Sequence, residues 1–187
     1  MGELTTEELS LWGKKAIRDD QELWLPLVIH LIDTKNVINW LYNHWLTDNQ
    51  RSLLMIEDSE TITQNLVKFL GYIHDIGKAT TAFQTKQSYV HNDSLDEDIM
   101  EKMIRGGFKG IDKLSFSKRS ASPHALAGEA LLETYGVNKS IAAIIGGHHG
   151  KPLSNPVAKD TQHNSENYWP ETPGEEQNQW GKGQEDL

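Results

Sequence analysis

Between residues 26 and 145 the apolar side chains recur at a helical 3.6-residue spacing, and helix start and stop signals punctuate the pattern. Over 26–45, Leu27, Leu31, Val37, Ile38, Leu41 and Trp45 fit one stripe behind Pro26, whose missing N–H costs nothing in a first turn. Over 59–74, Ile62, Leu66, Phe69, Leu70 and Ile73 form another. Ser94 and Glu97 have capping-box spacing ahead of Leu95, Ile99 and Met103. Ser122-Pro123 opens a fourth helix that Gly136 closes as a left-handed cap, and Asn138 caps a fifth over 139–145. No strand signal of comparable strength appears. The expectation is an all-α domain over residues 1–150.

Residues 151–187 read differently. They hold four of the six prolines, few apolar side chains and no periodicity, which predicts a weakly ordered polar tail, a loop or the start of a truncated region. Tyr168, Trp169 and Trp180 are the aromatics there, and two of them suffice to dock on the core.

Composition then excludes several classes. No apolar run reaches 18 residues, so no membrane span is expected. The N-terminus lacks the apolar centre of a secretory signal. With no cysteine there is no disulfide framework and no thiol nucleophile. These exclusions predict a soluble, cytoplasmic protein. A net charge of −9 argues against indiscriminate nucleic-acid coating, although a local basic surface remains compatible with it.

Eight histidines are the unusual content. His74-Asp75 follows the second stripe directly, where a lone carboxylate is costly unless paired or metal-bound. His148-His149 sits between Gly146-Gly147 and Gly150, as a metal-binding bend or a solvated surface loop. His124 belongs to the first turn of the fourth helix and His30 to the first helix; either is a ligand or an ordinary structural histidine. Together, His30, His74, Asp75, His124, His148 and His149 are enough ligands for two divalent ions sharing Asp75. Such a pair, about 3.5–4 Å apart, suits phosphodiester hydrolysis. Lys78, one turn beyond Asp75, is a surface lysine or a group that neutralises a phosphate oxygen.

The ordered His … His-Asp … His … His pattern resembles the HD superfamily of metal-dependent phosphohydrolases. WLPLVIHLIDTKNV (24–37), FLGYIHDIGKATTAFQ (69–84), SPHALAGEALL (122–132) and AAIIGGHHGKP (142–152) are most similar to one branch, the HD nuclease domain of the type I CRISPR-associated nuclease–helicase. The resemblance implies an HD-domain helical bundle and a dinuclear centre. It implies that His30 and His74 serve the first metal, Asp75 bridges, and His124, His148 and His149 serve the second. Lys78 would orient the scissile phosphate, which makes Asp75 and Lys78 the catalytic candidates. A further acidic ligand is implied from a later helix. Asp160 and Asp186 are the tail aspartates and neither lies in a helical pattern, so the expectation is a chain that ends before that residue.

The function implied is metal-dependent cleavage of single-stranded DNA in type I CRISPR interference. The implied partners are a helicase module in cis or trans and a guide-RNA surveillance complex. No G-x-x-x-x-G-K-[ST] phosphate loop occurs, so the chain reads as a stand-alone nuclease subunit or a fragment, with ATP use supplied elsewhere. Histidine-rich sites favour Mn, Fe, Co or Ni over Mg on ligand grounds. Residues 102–119 carry six basic side chains against Asp112 alone, with Phe108 and Phe116 interleaved. Arg105, Lys109, Lys118 and Arg119, with Lys78, are therefore the DNA-binding candidates; the alternative is a solvated loop with both phenylalanines in the core. Two other functions stay open: an HD-family nucleotide or cyclic-nucleotide phosphohydrolase, and a truncated non-catalytic module.

Overall fold

A computed structural model describes residues 3–19, 21–88, 93–150, 159–170 and 175–187. The body is helical, as the periodicity predicts. Helix α1 (Leu27–His44) starts behind Pro26 and α3 (Glu60–Ile73) behind Ser59, whose hydroxyl accepts from the Ile62 amide. Between them lies α2 (Asp48–Leu54), closed by a reciprocal Thr47–Gln50 capping box. A short α4 (Thr81–Gln84) precedes α5 (Asp93–Arg105). Helix α6 (His124–Thr134) follows Pro123, and Gly136 leaves it at φ 80°, a conformation that disfavours any side chain. Asn138 caps α7 (Lys139–Gly146) by accepting from the Ser140 amide.

Several details depart from the sequence pattern. α5 begins at Asp93, and the Ser94 hydroxyl donates to the Glu22 carboxylate, inside the first turn rather than ahead of it. The buried face of α1 consists of Leu27, Val28, His30, Leu31 and Tyr42, whereas Val37, Ile38 and Trp45 of the expected stripe are exposed. In α3, Ile62 and Phe69 are likewise exposed.

A two-stranded antiparallel hairpin, unannounced by the sequence, adds a small sheet to the helical body. β1 (Trp12–Arg18) pairs with β2 (Gln21–Pro26). Arg18 faces Gln21, and Asp19 at φ 50° supplies the left-handed residue that a tight hairpin turn requires. The register is irregular between Trp12 and Lys14.

α1 lies against α3 and both strands, and α6 packs on α7 and on the 3-10 turn Ile76–Lys78 that follows α3. One core joins Leu27, Leu31, Ile73, Ile76 and Phe83 with Ile99, Met103 and Phe108 of the α5 region. Beyond residue 150, the described part of the expected loop-like tail carries α8 (Asp160–His163) and α9 (Glu175–Asp186). Tyr168 and Trp180 are almost fully buried, and Trp180 stacks on Phe108 with ring centroids 4.7 Å apart. Two large aromatics are enough to dock a polar segment. Among the described residues no helix is long and apolar enough to cross a membrane.

Candidate metal centre

Helix ends bring the site together. His74 caps the C-terminus of α3, Asp75 caps the start of the 3-10 turn, His124 opens α6, and His148-His149 follow α7. The turn can lie flat on α6 because position 77 has no side chain. A Cβ on Gly77 would stand 1.9 Å from the His124 carbonyl oxygen and 2.4 Å from the Gly128 nitrogen.

Four of the five histidine candidates meet at the Asp75 carboxylate, which is 6% exposed. Its two oxygens face different ways. Oδ2 lies 2.8 Å from His30 Nε2, 3.1 Å from His74 Nε2 and 2.8 Å from Lys78 Nζ. Oδ1 lies 3.3 Å from His124 Nε2 and 3.4 Å from His148 Nε2. His149 is one step further out, with its Nε2 2.8 Å from His124 Nε2. Two sets of donors result, His30–His74–Asp75 and His124–His148–His149, each with ligand atoms within 4.8 Å of one another.

The proton inventory of this cluster points to a cation. His74 Nδ1 is 2.9 Å from the Gly71 carbonyl and His148 Nδ1 is 2.6 Å from the Ile145 carbonyl. A carbonyl only accepts, so both Nδ1 atoms donate, and a neutral ring then carries its lone pair on Nε2, aimed at Asp75. Lone pair against carboxylate is repulsive. His148 Nε2 is buried without a hydrogen-bond partner among the described residues. Either several rings are protonated against one another or divalent ions take the space between the donors. Imidazole nitrogens and one bridging carboxylate are a fitting donor set for borderline divalent metals.

Burial alone would raise the Asp75 carboxyl, but the imidazoles of His124, His148, His30 and His74 outweigh it and hold the group far below the usual carboxylate range. Contact with Asp75 raises His148 against the opposing effect of burial. Partial burial and then the charges of His148 and His124 lower His149.

Lys78 is no ordinary surface lysine. It is 8% exposed, and its ammonium donates to Asp75 and, at 3.1 Å, to the Gly13 carbonyl. Sequence reasoning missed this link to the hairpin and the residue behind it. Gln84, 1% exposed, accepts from the Trp12 amide and donates to the Trp12 and Lys78 carbonyls, all at 2.9 Å. The only available signal was that Gln84 closes HDIGKATTAFQ, one of the stretches that carry the family resemblance.

A sequence profile of the family described as Cas3, HD domain, matches residues 12–187. The chain belongs to the Cas3 HD-domain family. It is 46% identical over 149 residues to the CRISPR-associated nuclease/helicase Cas3 of Streptococcus thermophilus, covering 76% of this chain and 16% of that protein. A crystal structure of a CRISPR-associated protein shares the fold, with a TM-score of 0.62 at 19% identity, over 96% of this chain and 18% of the other. The chain thus spans less than a fifth of the length of these relatives.

In this Cas3 HD domain neither tail aspartate joins the donor sets. Asp160 instead accepts from Ser122 at 2.7 Å and from the Tyr168 hydroxyl at 2.5 Å, fixing the segment just ahead of His124. Asp186 ends α9 and is exposed. Among the DNA-binding candidates, Arg105 is paired with Glu101 at 2.6 Å, while Lys109 and Lys118 are exposed. Arg119 lies 4.6 Å above the Phe116 ring and donates to the Thr85 carbonyl. Phe108 is buried against Trp180, so it is core rather than a stacking platform.

Proposed function

We propose that this domain is a metal-dependent nuclease that hydrolyses the phosphodiester bonds of single-stranded DNA at two divalent ions. The observation that carries the reading is the split presentation of Asp75, one oxygen to His30 and His74 and the other to His124 and His148. A bound ion pair would supply charge neutralisation at the scissile phosphate and ease proton loss from an attacking water.

The chain's own residues do the rest. Asp75 holds the two donor sets in register. The backbone carbonyls of Gly71 and Ile145 fix the rings of His74 and His148, so their Nε2 atoms face inward without rearrangement. Lys78 has three N–H groups, of which Asp75 and Gly13 occupy two. The third has no hydrogen-bond partner among the described residues and would meet a nonbridging phosphate oxygen. The exposed His149 stands at the rim, where an incoming strand first meets the site.

Membership of the Cas3 HD family, and a relative named a nuclease/helicase, support a role in CRISPR interference beside a helicase module in cis or trans. A guide-RNA surveillance complex that displaces the strand completes the proposal. The test is cleavage of circular single-stranded DNA with Mn²⁺, run beside a chelated sample and Asp75→Ala. Cutting that requires both metal and Asp75 is expected; metal-independent cutting, or cutting retained in the variant, overturns the reading.

A further inference from the structure

We propose that Lys86 and Arg119 form a clamp for the backbone phosphate neighbouring the scissile one on a single-stranded nucleic acid, a reading that rests on the nuclease function above. The clamp is built off one ring. Phe83 sits with its centroid 5.7 Å from the His124 ring, 5.5 Å from the Lys78 ammonium and 4.9 Å from the Lys86 ammonium. Lys86 and His124, a residue of the metal centre, therefore share the Phe83 ring as a neighbour, and the Trp12 ring lies 4.5 Å from Phe83.

Arg119 is held next to Lys86 from another part of the chain. Its guanidinium donates to the carbonyl of Thr85 and stacks on Phe116, and its backbone forms the turn that leads into His124. Both elements are anchored, since the Lys86 carbonyl accepts from Lys15 and the Lys86 amide bonds Phe83. The fold thus holds two cations together beside the site. Among the described residues neither has a carboxylate within ion-pair distance.

Such a pair is unfavourable alone. Partial burial and then the charges of Arg119 and Lys78 lower the Lys86 pKa, and burial lowers that of Arg119. An anion between them removes the repulsion, and a guanidinium beside an ammonium suits a phosphate diester. Asp96, Glu97 and Asp112 line a cavity of about 360 Å³ together with Lys86, and Asp96 is already held by Lys15. Negative charge in that cavity disfavours a strand there, so the path proposed for the strand runs along Phe83 toward His124. A free mononucleotide in the metal centre has no neighbouring phosphate, so the clamp separates a polynucleotide substrate from a small one.

The clamp is tested by fluorescence anisotropy of a labelled oligothymidylate in EDTA, across a salt series, with the whole chain. Lys86→Gln and Arg119→Gln should each lower the slope of log affinity against log salt by about 0.7, the value of one phosphate contact on a single strand. The double variant should lose about twice that, and Lys86→Arg should keep the wild-type slope. An unchanged slope in the double variant, or a wild-type protein that does not bind the oligonucleotide, overturns the proposal. With Mn²⁺ present, the two Gln variants should lose several-fold more activity on the oligonucleotide than on bis(p-nitrophenyl) phosphate, which has no second phosphate. Equal loss on both substrates overturns it as well. A wild-type protein that cleaves neither substrate defeats the nuclease reading, while the anisotropy slopes still decide the clamp.

Discussion

The two donor sets share one carboxylate but are built by different means. His30 and Asp75 are buried, and Lys78, Gly13 and Gln84 tie their side of the site to the hairpin and α4. His124 and His148 are half-buried and His149 is exposed, on the ends of α6 and α7. Two of the three inner donors are buried and His74 is half-buried, whereas none of the outer three is buried. Under the proposed function the contrast suits the inner half to positioning and the outer half to substrate entry. It also means that substitutions should damage the two halves in different currencies, stability on one side and metal or substrate affinity on the other.

The largest effect is expected where the halves meet. Asp75→Ala should lower metal-dependent cleavage by more than about 10²–10³-fold, the scale on which a single charge-stabilising group acts. Helical content by circular dichroism should persist, because α3, α6 and α7 are held by Ile73, Ile76, Ala142 and Ile145 rather than by the carboxylate. Equal activity in the variant would break the idea that one residue joins two sites.

Gln84→Ala probes the inner half. It strips the Trp12 amide and the Trp12 and Lys78 carbonyls of a buried partner, and an unsatisfied buried group costs about 1–3 kcal/mol. A loss of about 3 kcal/mol in urea unfolding is expected. A neutral substitution would show that the hairpin is not coupled to the metal centre.

His149→Ala probes the outer half. It should weaken metal binding at the proposed outer site at least 10-fold, roughly the smallest loss seen when a metal's supporting shell is removed, with little change in melting temperature. Comparable destabilisation from His149→Ala and Gln84→Ala would erase the contrast between halves.

A smaller effect lies on the hairpin. Asp96 accepts from Lys15 at 2.7 Å and from Ser88. Burial raises its pKa, but Lys15 and Ser88 outweigh burial and leave it below its ordinary value. A depressed folded-state pKa stabilises above the unfolded value, near 3.9, and that contribution is lost as pH falls through the folded pKa. Asp96→Asn should therefore cost about 1 kcal/mol at neutral pH. Its melting temperature should begin to converge on the wild-type value as pH falls below about 4, and meet it only below the depressed folded pKa.

The helices were legible wherever a stripe met a cap. Ser59, Asn138 and Gly136 sit where the pattern puts them, and Leu95, Ile99 and Met103 form the buried face of α5. The donor residues were legible because His-Asp and His-His stand at the ends of those helices. The hairpin was not, since only Trp12 and Gly13 of β1 are buried and no alternation survives in WGKKAIR. α9 was hidden for a similar reason: its burial rests on Trp180, Gly183 and Gln184, with Gln184 donating to the Ala79 carbonyl at 2.7 Å. Lys78 and Gln84 are polar residues whose burial depends on partners more than sixty positions away. No local pattern reports such partners.

The central claim is that one carboxylate organises two cation sites. Equilibrium dialysis of the purified chain against Mn²⁺ counts them directly, with Asp75→Ala alongside. The account predicts two ions per wild-type chain and a loss of both tight sites in the variant. A wild-type chain that holds no Mn²⁺, or a variant that still holds two with equal affinity, would contradict it.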